Sequence, residues 1–119
     1  MANILIVDDS RTSRKMLTGI LEAAGHKIIG EAADGQAGVD QYKALNPDIV
    51  TMDITMPVLD GIKALQEIIE YDKSAKVIMV TAAGQKNKMV EAVKYGASDF
   101  LSKPFDQDMI ISIIDNVLR

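Results

Sequence analysis

Short apolar runs alternate with stretches of helical period along the chain. The runs Ile4–Val7, His26–Ala32, Asp48–Asp53, Lys76–Thr81 and Ser98–Ser102 read as five strands. The first, third and fourth are apolar nearly throughout instead of alternating, the pattern of strands covered on both faces in a parallel sheet. Five helical segments lie between and after them. The first carries Met16, Leu17, Ile20 and Leu21 and closes at Gly25, a residue suited to a left-handed C-cap. The second runs from about Gly35 to Leu45 behind an Asp34 N-cap, with Pro47 just beyond its end. The third carries Ile62, Leu65, Ile68 and Ile69, and the fourth Met89, Val90 and Val93 ahead of Gly96. The last starts at an Asp106 cap and continues through Met109, Ile110, Ile113, Ile114, Val117 and Leu118.

Strictly alternating βα units predict an α/β fold: right-handed crossovers and an open, doubly wound parallel sheet with helices on both faces. Five such units in 119 residues leave no room for a linker, so residues 1–119 are expected to form one domain. In sheets of this kind ligands bind at the carboxyl ends of the strands. Those ends are therefore where chemistry is expected.

Composition narrows the classes further. A formal net charge of -4 provides no positive field to collect nucleic acid or anionic lipid. No apolar stretch approaches the roughly 20 residues of a membrane span, and no basic region with a cleavage site precedes the first strand. A cytoplasmic protein, acting as a monomer, is the expectation. With no cysteine there is no disulfide, thiolate metal site or thiol nucleophile, and any metal must sit on oxygen.

The strand ends carry suitable residues. The first strand runs into Asp8-Asp9, the third ends in Asp53, the fourth in Thr81, and Lys103 follows the fifth. Taken singly, Asp and Thr often just close strands or cap helices. Gathered at one edge, they raise a question of charge, because two carboxylates about 4 Å apart repel by roughly 4 kcal/mol near a protein surface. Asp53 adds a third carboxylate and Lys103 offsets only part of the sum. The result is an anionic, oxygen-rich hole that suits Mg²⁺, which keeps several waters and accepts phosphate. With that charge answered, Asp53 can attack a phosphoryl group to give an acyl phosphate, and the Thr81 hydroxyl can donate to a phosphoryl oxygen.

Across the whole chain, Val7-Asp8-Asp9-Ser10, Met52-Asp53-Ile54-Thr55-Met56-Pro57, Asp60-Gly61, Thr81-Ala82 and Lys103-Pro104-Phe105 resemble the receiver domains of bacterial two-component systems. Within them, the stand-alone chemotaxis response regulators are the most similar. The resemblance implies a flavodoxin-like (βα)5 fold with strand order 2-1-3-4-5, which sets strands one and three side by side. It implies Asp53 as phosphoacceptor and Asp9, Asp53 and the backbone carbonyl of Thr55 as direct Mg²⁺ ligands, with Asp8 acting mainly through a coordinated water. Lys103 is implied as the cation on the phosphoryl group, Thr81 as the switch hydroxyl, and Phe100 as an aromatic whose rotamer follows phosphorylation. Phe100 also reads as an ordinary core residue of a strand. The Lys103-Pro104 bond matches a position that is often cis in the family. Thr55 and Ala83 fall where the family tunes phosphoryl lifetime; neither is acid or amide, so hydrolysis is expected to lean on an auxiliary phosphatase.

The implied partners are a histidine kinase as phosphohistidine donor and the flagellar switch protein, docked on helix four, strand five and helix five. Lys86, Lys88, Glu91, Lys94 and Tyr95 form the candidate surface, which reads equally as a solvated helix face. His26, the single histidine, lies at the start of strand two and reads as a turn or surface residue, so the phosphohistidine belongs to another protein. The seven methionines read as mostly core.

Alternative readings remain within the family: a phosphorelay intermediate, or a receiver cut from a longer regulator. More distant is an Asp-nucleophile phosphatase, which wants a second Asp where Thr55 stands. A flavodoxin-like electron carrier wants a hydroxyl-rich phosphate loop after strand one; Ser10, Thr12 and Ser13 hint at it, but Asp8 and Asp9 would repel the flavin phosphate. The expectation is a signalling switch, not a turnover enzyme, that controls the flagellar motor by phosphorylation-dependent protein binding.

Overall fold

The computed structural model describes residues 1–119. The elements in chain order are β1 (Asn3–Val7), α1 (Arg11–Ala23), β2 (Lys27–Ala32), α2 (Gly35–Leu45), β3 (Ile49–Asp53), α3 (Gly61–Tyr71), β4 (Val77–Thr81), α4 (Lys86–Lys94), β5 (Asp99–Ser102) and α5 (Gln107–Leu118). All five strands are parallel, in the order β2-β1-β3-β4-β5 expected from the resemblance.

The continuous apolar runs have the predicted cause. β3 and β4 are buried at every position, and β1 everywhere beyond Asn3. On one face Leu5, Val7, Val50, Met52, Val77 and Met79 pack under α2, α3 and α4; on the other Ile4, Ile6, Ile49, Ile78 and Val80 pack under α1 and α5. Side chains alternate across each strand, so a strand covered on both sides must be apolar at odd and even positions alike.

Local signals set the helix ends. Asp34, Asp60, Asp106 and Ser10 each accept a hydrogen bond from a backbone N–H three residues on, which satisfies one orphan donor of the first turn. Gly25 and Gly96 adopt φ of 93° and 98° just past α1 and α4, where a Cβ would be strained. Ser10 is thus a helix cap, not part of a phosphate loop.

Three sequence readings need correction. Val90 and Val93 are 57% and 59% exposed, so they are not the core face of α4. The buried contact there is Ala92, helped by half-buried Met89; a small residue lets the helix sit close and turns the valines outward. Of the seven methionines only Met52, Met56 and Met79 are buried, while Met16 and Met109 face outward on α1 and α5. His26 is buried rather than on the surface, and its Nδ1 accepts the Ala2 N–H at 3.1 Å, tying the chain start to the foot of β2.

Candidate functional site

Strand order decides which side chains meet. β1 pairs with β3 through Val7 and Met52, so one step further the chain brings Asp8 beside Asp53. Asp8 N–H still bonds to the Ala32 carbonyl at 3.0 Å, which extends the ladder by one residue before the chain turns into α1. Its carboxylate is held at both oxygens: Oδ1 accepts Ser10 N–H at 2.8 Å and Oδ2 lies 3.1 Å from Lys103 Nζ. The same Nζ is 3.7 Å from Asp53 Oδ2. Asp9 is the exposed member of the group, and carboxylate oxygens of Asp8, Asp9 and Asp53 lie within 4.8 Å of one another.

Burial and like charge have a cost that shows at Asp53. Desolvation, then the charge of Asp8 and more weakly that of Asp9, push its pKa up to about 6, against the opposing pull of Lys103 and the Ile54 N–H. Three carboxylates facing one ammonium leave an excess of negative charge around hard oxygen donors. That donor set, open on the Asp9 side, fits a Mg²⁺ ion that keeps part of its water.

Two backbone features hold the frame. A Cβ on Gly61 would overlap the Asp53 carbonyl oxygen, so only glycine allows α3 to start this close to the end of β3. Gly61 N–H meanwhile bonds to the Ile54 carbonyl at 2.7 Å. Lys103 is placed by its own N–H, which bonds to the Thr81 carbonyl at 2.8 Å, and the bond to Pro104 is cis. Thr81 ends β4, buried, with its hydroxyl donating to the Leu101 carbonyl at 3.3 Å. Phe100 is half-buried against the α2–α3–α4 side of the core.

The strand-end residues singled out in the sequence therefore meet: Asp8, Asp9, Asp53 and Lys103 form one cluster, with Thr81 on the adjoining strand. Lys86, Lys88 and Lys94 are exposed on α4 and Tyr95 follows them, with Glu91 half-buried. Val90 and Val93 add an apolar centre that periodicity had assigned to the core. Two further residues went unseen. Arg14 donates to the Asp8 carbonyl at 2.6 Å and pairs with Glu31 at 3.1 Å, bracing the acidic turn from behind. Gln85 bonds to both the Thr55 side chain and the Ala82 N–H. Neither carries a sequence signal, because a single Arg or Gln in a polar stretch does not show where it points.

Residues 4–115 match the family model described as the response regulator receiver domain. Protein CcdB of Bacillus subtilis is 48% identical over 118 residues, covering 99% of this chain and 98% of that protein. Chemotaxis protein CheY of Thermotoga maritima is 46% identical over 116 residues, with 98% and 97% covered. Among solved structures, the CheX-CheY-BeF3-Mg complex from Borrelia burgdorferi superposes with a TM-score of 0.93 at 44% identity, covering 98% of this chain and 89% of that one. A receiver model spanning nearly every residue, together with this identity over the full length of CheY proteins, places the chain in the response regulator receiver family, among its CheY-like members.

Proposed function

We propose that the chain acts as a single receiver unit in which Asp53 accepts a phosphoryl group from the phosphohistidine of a partner kinase. The observation that carries this reading is the buried Asp53 carboxylate, set at the carboxyl end of the central strand within one charge cluster with Lys103, Asp8 and Asp9. Asp9, Asp53 and the backbone carbonyl of Thr55 are the groups that would hold Mg²⁺ directly, and Asp8, already engaged by Ser10 N–H and Lys103, would act through water. When bound, the cation neutralises the acidic cluster and stabilises charge on the phosphoryl oxygens.

The chain's own residues do the rest. Asp53 forms the new O–P bond as the N–P bond of the phosphohistidine breaks and the imidazole leaves with that electron pair. Lys103 lies near enough to Asp53 to meet the charge that arrives. The Thr81 hydroxyl, held by a long bond to the Leu101 carbonyl, is available to a stronger acceptor. Phe100 and the α4 face of Lys86, Lys88, Glu91, Lys94 and Tyr95 would pass the change to a partner.

The chemotaxis names of the CheY relatives favour the flagellar switch protein as that partner, with an auxiliary phosphatase to end the signal. A phosphorelay role is the second reading, since the similar protein CcdB does not bear a chemotaxis name. The central claim is tested by intact-mass measurement after incubation with Mg²⁺ and acetyl phosphate. One phosphoryl adduct is expected on the parent and none on Asp53→Asn; an unmodified parent, or an equally modified variant, would defeat it.

A further inference from the structure

A single amide spans the mouth of the site. Gln85 Oε1 accepts Ala82 N–H at 2.6 Å, and Gln85 Nε2 donates to Thr55 Oγ1 at 2.8 Å. Thr55 follows Asp53 by two residues and Ala82 follows Thr81 directly, so Gln85, itself on the loop that leaves β4, folds that loop back on Ala82 and ties it to Thr55 on the loop that leaves β3. Both side-chain hydrogen bonds made by residues 82–85 come from Gln85. The starts of α1, α2, α3 and α5 are all capped by a side chain, but α4 begins at Gln85 with no side-chain cap. An open surface cleft of about 390 Å³, whose lining includes Thr81, Ala82, Gln85, Met89 and Lys103, runs along the loop.

The N–H that Gln85 occupies stands at a telling position. Asp53 pairs with Val80, and Ile54 N–H takes the Val80 carbonyl, so Thr81 and Ala82 come next beyond the end of Asp53's ladder. A phosphoryl group on Asp53 would bring three strong acceptor oxygens to this edge. Both nearby β4 donors are already taken, the Thr81 hydroxyl by Leu101 and the Ala82 N–H by Gln85.

We propose that Gln85 is a positioning residue, a strap whose amide oxygen holds the Ala82 N–H until a phosphoryl oxygen displaces it and loosens the loop that leaves β4. The proposal rests on the reading of Asp53 as phosphoacceptor. The side chain has the right chemistry for a releasable strap, because a neutral amide is a weaker acceptor than a charged phosphoryl oxygen and yields to it. A carboxylate in its place would hold the N–H more firmly and repel the incoming anion.

Beryllofluoride with Mg²⁺, a non-hydrolysing phosphoryl probe, tests this by calorimetric titration of the parent, Gln85→Ala and Gln85→Glu. Loss of one competing hydrogen bond predicts about fivefold tighter binding in Gln85→Ala, with Mg²⁺ affinity within about twofold of the parent. Gln85→Glu is expected to bind the probe more weakly than the parent. Opposite shifts from one position are not what a merely structural loop residue produces. If Gln85→Ala binds no tighter than a parent that does bind, or if Gln85→Glu binds as well as Gln85→Ala, the strap is wrong. A parent that does not bind the probe removes the Asp53 reading itself, and the strap with it.

Discussion

Asp53 carries its charge against its surroundings, and this makes pH a handle on the site. Its pKa, pushed up to about 6 by burial and by Asp8, lies above that of the same carboxyl in the unfolded chain. Between about pH 4 and pH 6 the folded state therefore holds a proton that the unfolded state has released, and stability falls as pH rises through that window. Asparagine at this position removes the penalty because it never ionises. In metal-free buffer Asp53→Asn is expected to melt above the parent at about pH 8, with the gap closing towards pH 5, where Asp53 is mostly protonated. Thermal melts across that range check the point; a gap that does not change with pH would rule out ionisation of Asp53 as its source.

Where strands and helices are concerned, legibility followed packing. β1, β3 and β4 could be read because burial on both faces forces an unbroken apolar run, and α2 and α5 because Asp34 and Asp106 cap them as their positions suggested. α4 misled because its core contact is the small Ala92, while the bulkier Val90 and Val93 dominate the periodic pattern from the outside. The β3–α3 connection was legible only through the Asp60-Gly61 resemblance; its physical cause, the close pass of Gly61 over the Asp53 carbonyl, needs coordinates. A methyl group there has to push on backbone rather than on a movable side chain. Gly61→Ala is expected to cost roughly 2–3 kcal/mol in urea unfolding. Because the displaced atom belongs to Asp53, the variant should also bind Mg²⁺ more weakly than the parent, whereas a fully retained affinity would mean that α3 moves and the site does not.

Topology turns residues distant in sequence into one charge cluster, since Asp8, Asp53 and Lys103 come from β1, β3 and the exit of β5. The identities of these residues were visible at the strand ends. The support of Asp8 by Arg14 and the bonds of Gln85 to the neighbouring loops were not, because the phase of α1 and the path of the β4–α4 loop decide what those side chains reach. In the unfolded chain Asp53 is far from Asp8 and Asp9, so a cation that needs all three stabilises only the folded protein. Such binding adds RT ln(1 + [L]/Kd), about 2.7 kcal/mol at a hundredfold excess over Kd. Mg²⁺ is therefore expected to raise the parent's unfolding midpoint progressively with concentration. The rise should shrink below about pH 6, where a proton on Asp53 competes with the metal. Asp9→Asn and Asp53→Asn should each gain less than the parent. For Asp53→Asn this predicts convergence: the variant starts higher without metal and the parent closes the gap as Mg²⁺ is added. Equal shifts in parent and variants would place the stabilising cation elsewhere on this acidic protein, and the repulsion among Asp8, Asp9 and Asp53 would then need another partner to answer it.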